Sequence, residues 1–285
     1  MYFSIFEKNN KMNYKLKIHF LIKNFLLRIN SIGLLPNFIK KLSLIISEVS
    51  NNYSFDRSLN GENNLVKILK KKKINLRVIF DVGANNGYWS KYFNNHFSNC
   101  SFYLFEITPS KLRILNKIRN KNFKVLNFGL GKKNKIDFFY EYPSLDGENS
   151  LYNTRPDVKS KKTKTKFQKG DFFCKKNKID KIDFLKIDVE GMELEVLIGF
   201  KKMIQKKKIQ LVQFEYTVAN SISRYLLSDL YNFFRENDYI VGKLTSNGII
   251  FLNKFNLDMN NFKFGPNFVA CPRKNLSLIK KITFF

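Results

Sequence analysis

The 285 residues are 44% hydrophobic, which is enough to bury one large core, and 51 Lys and Arg stand against 23 Asp and Glu. A net charge of +28 ordinarily indicates nucleic acid or an anionic membrane as a partner. The lysine runs at residues 70–73, 159–166 and 206–208, however, adjoin predicted turns and helix ends and do not alternate with aromatic residues. A solvated basic surface is therefore favoured over nucleic-acid binding.

The three cysteines are widely spaced and odd in number, which is typical of a reducing compartment and predicts a cytoplasmic protein. The two histidines lie far apart, which argues against a His/Cys zinc site. Basic residues interrupt the apolar stretch 16–35, so neither a signal peptide nor a membrane span is predicted. This amphipathic segment is interpreted as a helix that packs on the catalytic core, and peripheral contact of basic N-terminal helices with the inner face of the membrane is the alternative.

Two regions follow from the pattern along the chain. Residues 1–60 are predicted as a helical N-terminal lead with helices over 15–29 and 37–49, and residues 61–285 as the catalytic domain, which opens with a helix over 62–72. From residue 76 short apolar runs alternate with helical patterns, which is typical of βαβ units. Strands are predicted over 77–82, 101–105, 123–127, 182–187 and 209–214, and helices over 88–95, 109–119, 192–204 and 222–237.

Additional strands interrupt and complete this alternation. Residues 136–142 and 163–168 form a hairpin-like excursion with a turn through Pro143, Asp146 and Gly147, and late strands cover 239–243, 249–252 and 267–271. The predicted fold is a doubly wound, Rossmann-like α/β sheet of strand order 3-2-1-4-5 with antiparallel additions near the carboxyl terminus.

The strongest local signal is the run VIFDVGANNG, a buried strand that leads into a glycine turn. Gly83 and Gly87 permit a tight turn and a close approach of ligand to backbone, while Asp81 ends the strand at the crevice where such folds bind ligands. The turn departs from the G-x-G-x-x-G pattern of dinucleotide sites, which disfavours a NAD-dependent oxidoreductase. A carboxylate here suits the ammonium of a methionine moiety, so S-adenosylmethionine is the predicted cofactor.

Glu106 supports the same cofactor because it ends the second strand, about 20 residues beyond Gly87, where an acid accepts hydrogen bonds from ribose hydroxyls. A second group of charged residues follows the fourth strand: Lys186, Asp188 and Glu190 alternate along the chain and therefore point to one side. The fifth strand also ends in an acid, Glu215. These acids are predicted to converge at the crevice, and a buried ion-pair network around Lys186 is the alternative.

The strings VIFDVGANNG, FYLFEITP, FLKIDVEGMELEVLIGF, QLVQFEY and NFVACP together resemble the FkbM family of methyltransferases over residues 60–272. This resemblance implies a class I methyltransferase fold that binds S-adenosylmethionine and methylates hydroxyls, commonly on sugars of cell-surface glycans or on secondary metabolites. By position, it implies contact with the cofactor for Asp81, Gly83, Asn85, Gly87, Glu106, Asn127 and Asp171. Ile107 stands where the family usually has Pro.

Methylation of a hydroxyl needs a base within hydrogen-bond reach, and Glu190 or Asp188 is the first choice, with Glu215 third and Lys186 as an orienting or substrate-binding group. A divalent ion among these acids is compatible with the sequence but not required by it. Two alternatives remain open, namely an RNA methyltransferase that uses the basic surface and a non-catalytic nucleotide-binding or scaffold protein.

Overall fold

The computed structural model describes residues 14–33, 36–145 and 149–283. The described residues form two compact units, one that extends to Val49 and one that begins at Ser50. The first unit contributes helices α1 (Tyr14–Ser31) and α2 (Asn37–Ser50). None of the helices in the described part of the chain combines the length and apolarity that a membrane span requires. The packing of the N-terminal helices on the core, and their alternative contact with a membrane, stay predictions.

An eight-stranded sheet forms the centre of the second unit. Its strands are β1 (Val78–Val82), β2 (Ser101–Phe105), β3 (Phe123–Leu126), β7 (Ile182–Ile187), β8 (Ile209–Glu215), β9 (Tyr239–Thr245), β10 (Gly248–Phe251) and β11 (Asn267–Pro272). The order across the sheet is β10-β9-β11-β8-β7-β1-β2-β3, with β3, β2, β1, β7 and β8 parallel and β11 antiparallel to both of its neighbours. The predicted doubly wound order and the antiparallel additions are confirmed.

Helices cover both faces of this sheet, so its central strands are apolar on both sides. Every residue of β7 is buried, and Phe80 on one face and Phe184 on the other lie in separate hydrophobic clusters. The helices of this unit are α3 (Glu62–Lys71), α4 (Tyr88–His96), α5 (Pro109–Asn116), α6 (Gly170–Lys176), α7 (Glu193–Gly199), α8 (Lys201–Gln205), α9 (Ala219–Ser223), α10 (Leu227–Glu236) and α11 (Leu276–Ile282), with a 3-10 turn at Leu257–Met259.

The predicted excursion forms a second, three-stranded sheet of order β4-β6-β5, made of β4 (Gly129–Leu130), β5 (Lys135–Glu141) and β6 (Lys161–Gln168). The turn residues Asp146 and Gly147 lie outside the described residues. Strand β6 contains most of the lysine run 159–166, and its antiparallel pairing sets Lys162 opposite Tyr140 and Lys164 opposite Phe138. Along the chain this run contains no aromatic residue, and its alternation with aromatic side chains arises only across the paired strands.

Two long helices of the prediction are each divided in the structure. The helix predicted over 192–204 breaks between α7 and α8, because the Asp171 carboxylate accepts the backbone N–H groups of Lys202 at 2.9 Å and Met203 at 3.0 Å and so begins a new helix. The helix predicted over 222–237 is divided into α9 and α10 because Arg224 adopts a left-handed φ of 63°. The helix predicted over 109–119 ends at Asn116.

The end of α7 requires a glycine. A Cβ atom at Gly199 would overlap the backbone carbonyl oxygen of Gly131, whereas one at Gly131 would meet only side-chain atoms at ordinary distances of 3.8 and 4.0 Å. We expect Gly199→Ala to lower the free energy of unfolding by about 2–4 kcal/mol, because a backbone must move, and Gly131→Ala to change it by less than about 1 kcal/mol. Urea unfolding of the two variants checks this, and an equal effect of both would contradict the packing described.

Candidate active site

A cavity of about 630 Å³ lies at the carboxyl ends of the parallel strands. Its wall includes Gly83 after β1, Glu106 after β2, Asp188 after β7 and Glu215 at the end of β8. Four neighbouring strands thus deliver one residue each to the same space, as doubly wound folds do at their ligand crevice. Two sides of this cavity carry different chemistry.

The first side is formed by Glu106 and the turn after β1. Glu106 is 7% exposed, and its carboxylate accepts the backbone N–H groups of Asn85 at 2.7 Å and of Ile107 and Thr108 at 2.8 Å each. The Asn85 side chain also lines the cavity, and its buried Oδ1 has no hydrogen-bond partner among the described residues. This side therefore offers hydrogen-bond acceptors to the hydroxyl or amino groups of a ligand.

The turn after β1 also fixes the loop after β7. Gly83 has a φ of 85°, and a Cβ atom there would overlap the carbonyl oxygen of Asp188. The N–H of Asp188 in turn donates to the Val82 carbonyl at 3.0 Å. Gly83 is required by this contact between loops. Gly87, with a φ of 73°, does not border the cavity and instead begins α4.

Asp81 and Lys186 form a buried ionic pair behind the cavity wall. Lys186 is 3% exposed, and its Nζ lies 2.7 Å from Asp188 Oδ2 and 3.9 Å from Asp81 Oδ1. Burial alone would lower the pKa of Lys186, but the charges of Asp188 and Asp81 outweigh it and raise that pKa. Burial raises the pKa of Asp81 to about 6, against the opposing effects of Lys186 and of the Ser90 hydroxyl, which donates to Asp81 at 2.6 Å.

Asp81 therefore does not contact the cavity, contrary to the direct ligand contact that the sequence suggested. The alternative for Asp188, Glu190 and Glu215 was a buried ion-pair network with Lys186, and the structure shows that pairing for Asp188. The second partner of Lys186 is Asp81, which that alternative did not include. Asp188 belongs both to the ion-pair network and to the cavity wall, because it pairs with Lys186 and also lines the cavity. Lys186 itself does not line the cavity.

The second side of the cavity carries a cluster of three carboxylates. Asp188, Glu190 and Glu215 each place an oxygen within 4.8 Å of the other two, and all three residues are partly exposed. Burial, and then the charges of Asp188 and Glu190, raise the pKa of Glu215 well above its ordinary value. Such a separation suits either a shared proton or an oxygen-ligated divalent ion. The predicted convergence of these acids is thus what the structure shows.

A buried acid behind the cluster holds the loops in place. Glu193 is 1% exposed, and its Oε1 accepts the N–H groups of Val189 and Gly191 at 3.2 Å. Its Oε2 accepts the Asn220 amide at 2.9 Å, and the Asn220 Oδ1 accepts the Thr217 N–H at 2.8 Å. One side chain therefore ties the loop of Glu190, which has a left-handed φ of 52°, to the loop that follows Glu215.

Sequence reasoning missed the segment that precedes α3. Tyr53, Phe55 and Arg57 line the cavity, although the sequence pattern places them in the N-terminal lead, outside the catalytic domain. Glu62, which also lines the cavity, contacts Arg57 at 3.4 Å and accepts the Gln213 amide at 2.6 Å. The available signal in the sequence was the Asn60-Gly61-Glu62 string, because the family resemblance begins there.

Two predicted cofactor residues lie elsewhere. Asp171 caps α8 with both carboxylate oxygens, and Asn127 is exposed; neither borders the cavity. Tyr142 and Tyr216 are buried in the core. The aromatic side chains that face the cavity are Tyr53 and Phe55, together with Phe105 and Phe167.

Ionisation of Glu193 should change stability with pH. Burial raises the pKa of Glu193 from 4.5 to about 7, so the folded state gains stability from this group below about pH 4.5 and loses it as the pH rises through about 7. Glutamine does not titrate. The stability of Glu193→Gln relative to the natural protein should therefore improve between about pH 5 and about pH 8, as measured by urea unfolding. Glu236→Gln, at an exposed helix end, is the control, and a pH-independent difference for Glu193→Gln would contradict the assignment.

Comparison with known proteins identifies the family of this chain. The sequence matches the family described as Methyltransferase FkbM domain over residues 81–241, more than half of the chain. The hexuronic acid methyltransferase AglP of Haloferax volcanii is 26% identical over 201 residues, which cover 66% of this chain and 79% of that protein.

Solved structures with similarity include methyltransferase FkbM from Methylobacillus flagellatus KT, with 14% identity, a TM-score of 0.41 and coverage of 68% of this chain and 43% of that one. This chain thus spans less than half of that protein's length. A SAM-dependent methyltransferase from Aquifex aeolicus has 11% identity, a TM-score of 0.37 and coverage of 78% and 94%. On the family match, the chain belongs to the FkbM family of S-adenosylmethionine-dependent methyltransferases.

Proposed function

We propose that this methyltransferase methylates a hydroxyl group of a sugar, with Glu215 as the general base. The observation that carries the proposal is the cluster of Asp188, Glu190 and Glu215 on one side of the cavity, facing the acceptor groups of Asn85 and Glu106 on the other. A hydroxyl is a poor nucleophile until a base takes its proton, and this cluster supplies carboxylates where a methyl acceptor would lie.

The first side of the cavity fits S-adenosylmethionine. The unpaired Oδ1 of Asn85 provides a buried acceptor, and Glu106 is held by three backbone N–H groups with its remaining lone pairs available to ribose hydroxyls. When bound, S-adenosylmethionine supplies an electrophilic methyl group on a sulfonium. The chain's own residues hold this cofactor and orient the acceptor hydroxyl, so positioning contributes much of the rate.

Glu215 is the strongest candidate for the base. The Lys186 ammonium, 2.7 Å from Asp188 Oδ2, already engages and orients the Asp188 carboxylate. Burial raises the pKa of Glu215, and the charges of Asp188 and Glu190 raise it further, against the opposing charge of Lys186. A carboxylate with a raised pKa is a better base near neutral pH than an ordinary one. This ranks Glu215 ahead of Glu190 and Asp188, the first choices from sequence alone.

The wall near the acids supports an acceptor that is a sugar, and an acidic one. Tyr53 and Phe55 offer ring surfaces for stacking, and the Thr217 and Ser221 side chains add hydroxyl groups. Arg57, which also lines the cavity, presents a guanidinium suited to a carboxylate. The similarity to a hexuronic acid methyltransferase points in the same direction.

The test is methyl transfer to a panel of oligosaccharides with neutral and uronic-acid residues, followed by mass spectrometry and by a pH profile of kcat/KM. We expect a gain of one methyl group on an acidic sugar. Glu215→Gln should lower kcat by about 10²-fold or more, because general-base catalysis is lost. Glu190→Gln should move the acidic limb of the profile to lower pH, because it removes a negative charge that raises the pKa of Glu215.

Two controls accompany this test. Asp180→Asn, which changes an exposed acid away from the cavity, should leave the profile unaltered, and calorimetry should show that Glu215→Gln still binds S-adenosylmethionine. Methylation of RNA in place of every sugar offered would overturn the proposed acceptor. Normal turnover by Glu215→Gln together with inactivity of Glu190→Gln would transfer the role of base to Glu190.

A further inference from the structure

One face of the small sheet bears an ordered set of apolar and basic side chains that the proposed function does not use. Antiparallel pairing between β5 and β6 sets three residue pairs opposite one another, and alternate residues of a strand share a face. We call this surface the outer face. Its members are Ile136 opposite Lys166, Phe138 opposite Lys164, and Tyr140 opposite Lys162.

The outer face is open to solvent. Ile136 is 65% exposed and Phe138 is 52% exposed, unusually high values for such side chains on neighbouring positions of one sheet face. The three lysines beside them are exposed as well. Each of the three cross-strand pairs on the outer face therefore places one apolar or aromatic side chain beside one lysine ammonium.

The acidic residues of these two strands lie on the other face. Asp137 pairs with Lys135 at 2.5 Å, and Glu141 accepts the Thr163 hydroxyl at 3.0 Å. The inner face also buries Phe139 and Phe167 against the domain. The outer face of β5 and β6 thus carries three positive charges and no acid of its own strands, which makes it complementary to an anionic surface.

We propose that the outer face docks this methyltransferase on an anionic lipid surface. Ile136 and Phe138 would enter the interfacial region, while the lysines alongside contact lipid phosphates and keep their charged ends in the headgroup layer. The chain's net charge of +28 favours the same encounter.

A lipid surface explains the outer face better than a polymeric anion does. Ile136 has no ring on which a base or a sugar could stack, yet it is the most exposed apolar residue of the three. The Nζ of Lys162 lies over the Tyr140 ring at 5.2 Å and so occupies one face of that ring. An aliphatic side chain next to lysines is the composition of an interfacial membrane contact.

A site-specific fluorescence experiment on the full chain tests the proposal. The single natural tryptophan, Trp89, is 3% exposed and so contributes a nearly constant background. Phe138→Trp should shift its emission to shorter wavelength and be quenched by brominated lipid when vesicles of phosphatidylglycerol and phosphatidylcholine are added, but not with phosphatidylcholine alone. Ile250→Trp, an exposed position on β10 at one edge of the large sheet, should show neither change.

Charge variants give the matched control. Changing Lys162, Lys164 and Lys166 to Gln should weaken partitioning to the anionic vesicles by at least about tenfold. The same charge reduction at the exposed Lys175, Lys206 and Lys208 should weaken it much less. Equal effects of the two triple variants, or no spectral change of Phe138→Trp, would overturn the proposal. So would a loss of poly-uridine binding without a loss of vesicle binding, since the outer face would then be a nucleic-acid surface.

Discussion

The buried ammonium of Lys186 is the interaction on which the catalytic end of this protein depends. It lies between Asp81 of β1 and Asp188 just beyond β7, two strands that are neighbours at the centre of the sheet. A buried ion pair is expensive to form, and removal of one partner leaves the other charge uncompensated. Lys186 therefore allows acids to gather at the strand ends of an otherwise apolar core.

Several contacts build the cavity around that pair. The close approach of Gly83 to the Asp188 carbonyl aligns the turn after β1 with the loop after β7, and Glu193 aligns the latter with the loop after β8. Burial of Glu215, and then the charges of the neighbouring Asp188 and Glu190, raise the pKa of Glu215. The loops after β1, β7 and β8 thus create the raised pKa of Glu215 on which the proposed general-base catalysis depends.

Much of this site was predictable from the sequence, because acids and glycines at the ends of parallel strands meet at one edge of a sheet. Glu106, Asp188, Glu190 and Glu215 reach the cavity for that reason. The burial of Asp81 was not predictable, since it depends on which neighbour pairs with Lys186. The cap that Asp171 provides to α8 depends on a contact between residues 31 and 32 positions apart, which no local pattern reveals.

Cross-strand order explains the remaining difference between sequence and structure. Lys162 and Tyr140 are distant in the chain, so their alternation becomes visible only when β5 and β6 pair. Tyr53, Phe55 and Arg57 reach the cavity from a segment without a periodic pattern, and their positions follow from tertiary contacts such as that of Arg57 with Glu62. Hydrophobic periodicity in the sequence identifies helices and strands, whereas the positions of residues in irregular segments depend on their tertiary contacts.

The role of Lys186 is tested most directly by the pH dependence of unfolding in Lys186→Met. If the ammonium compensates Asp81 and Asp188, the variant should lose about 3–5 kcal/mol of stability at about pH 8. The loss should be smaller at about pH 5. The pKa of Asp81 is already raised to about 6 with the lysine present, so at about pH 5 Asp81 takes up a proton and no longer needs a counter-charge. The same loss of stability at both pH values would show that Lys186 acts through packing alone and would contradict the account.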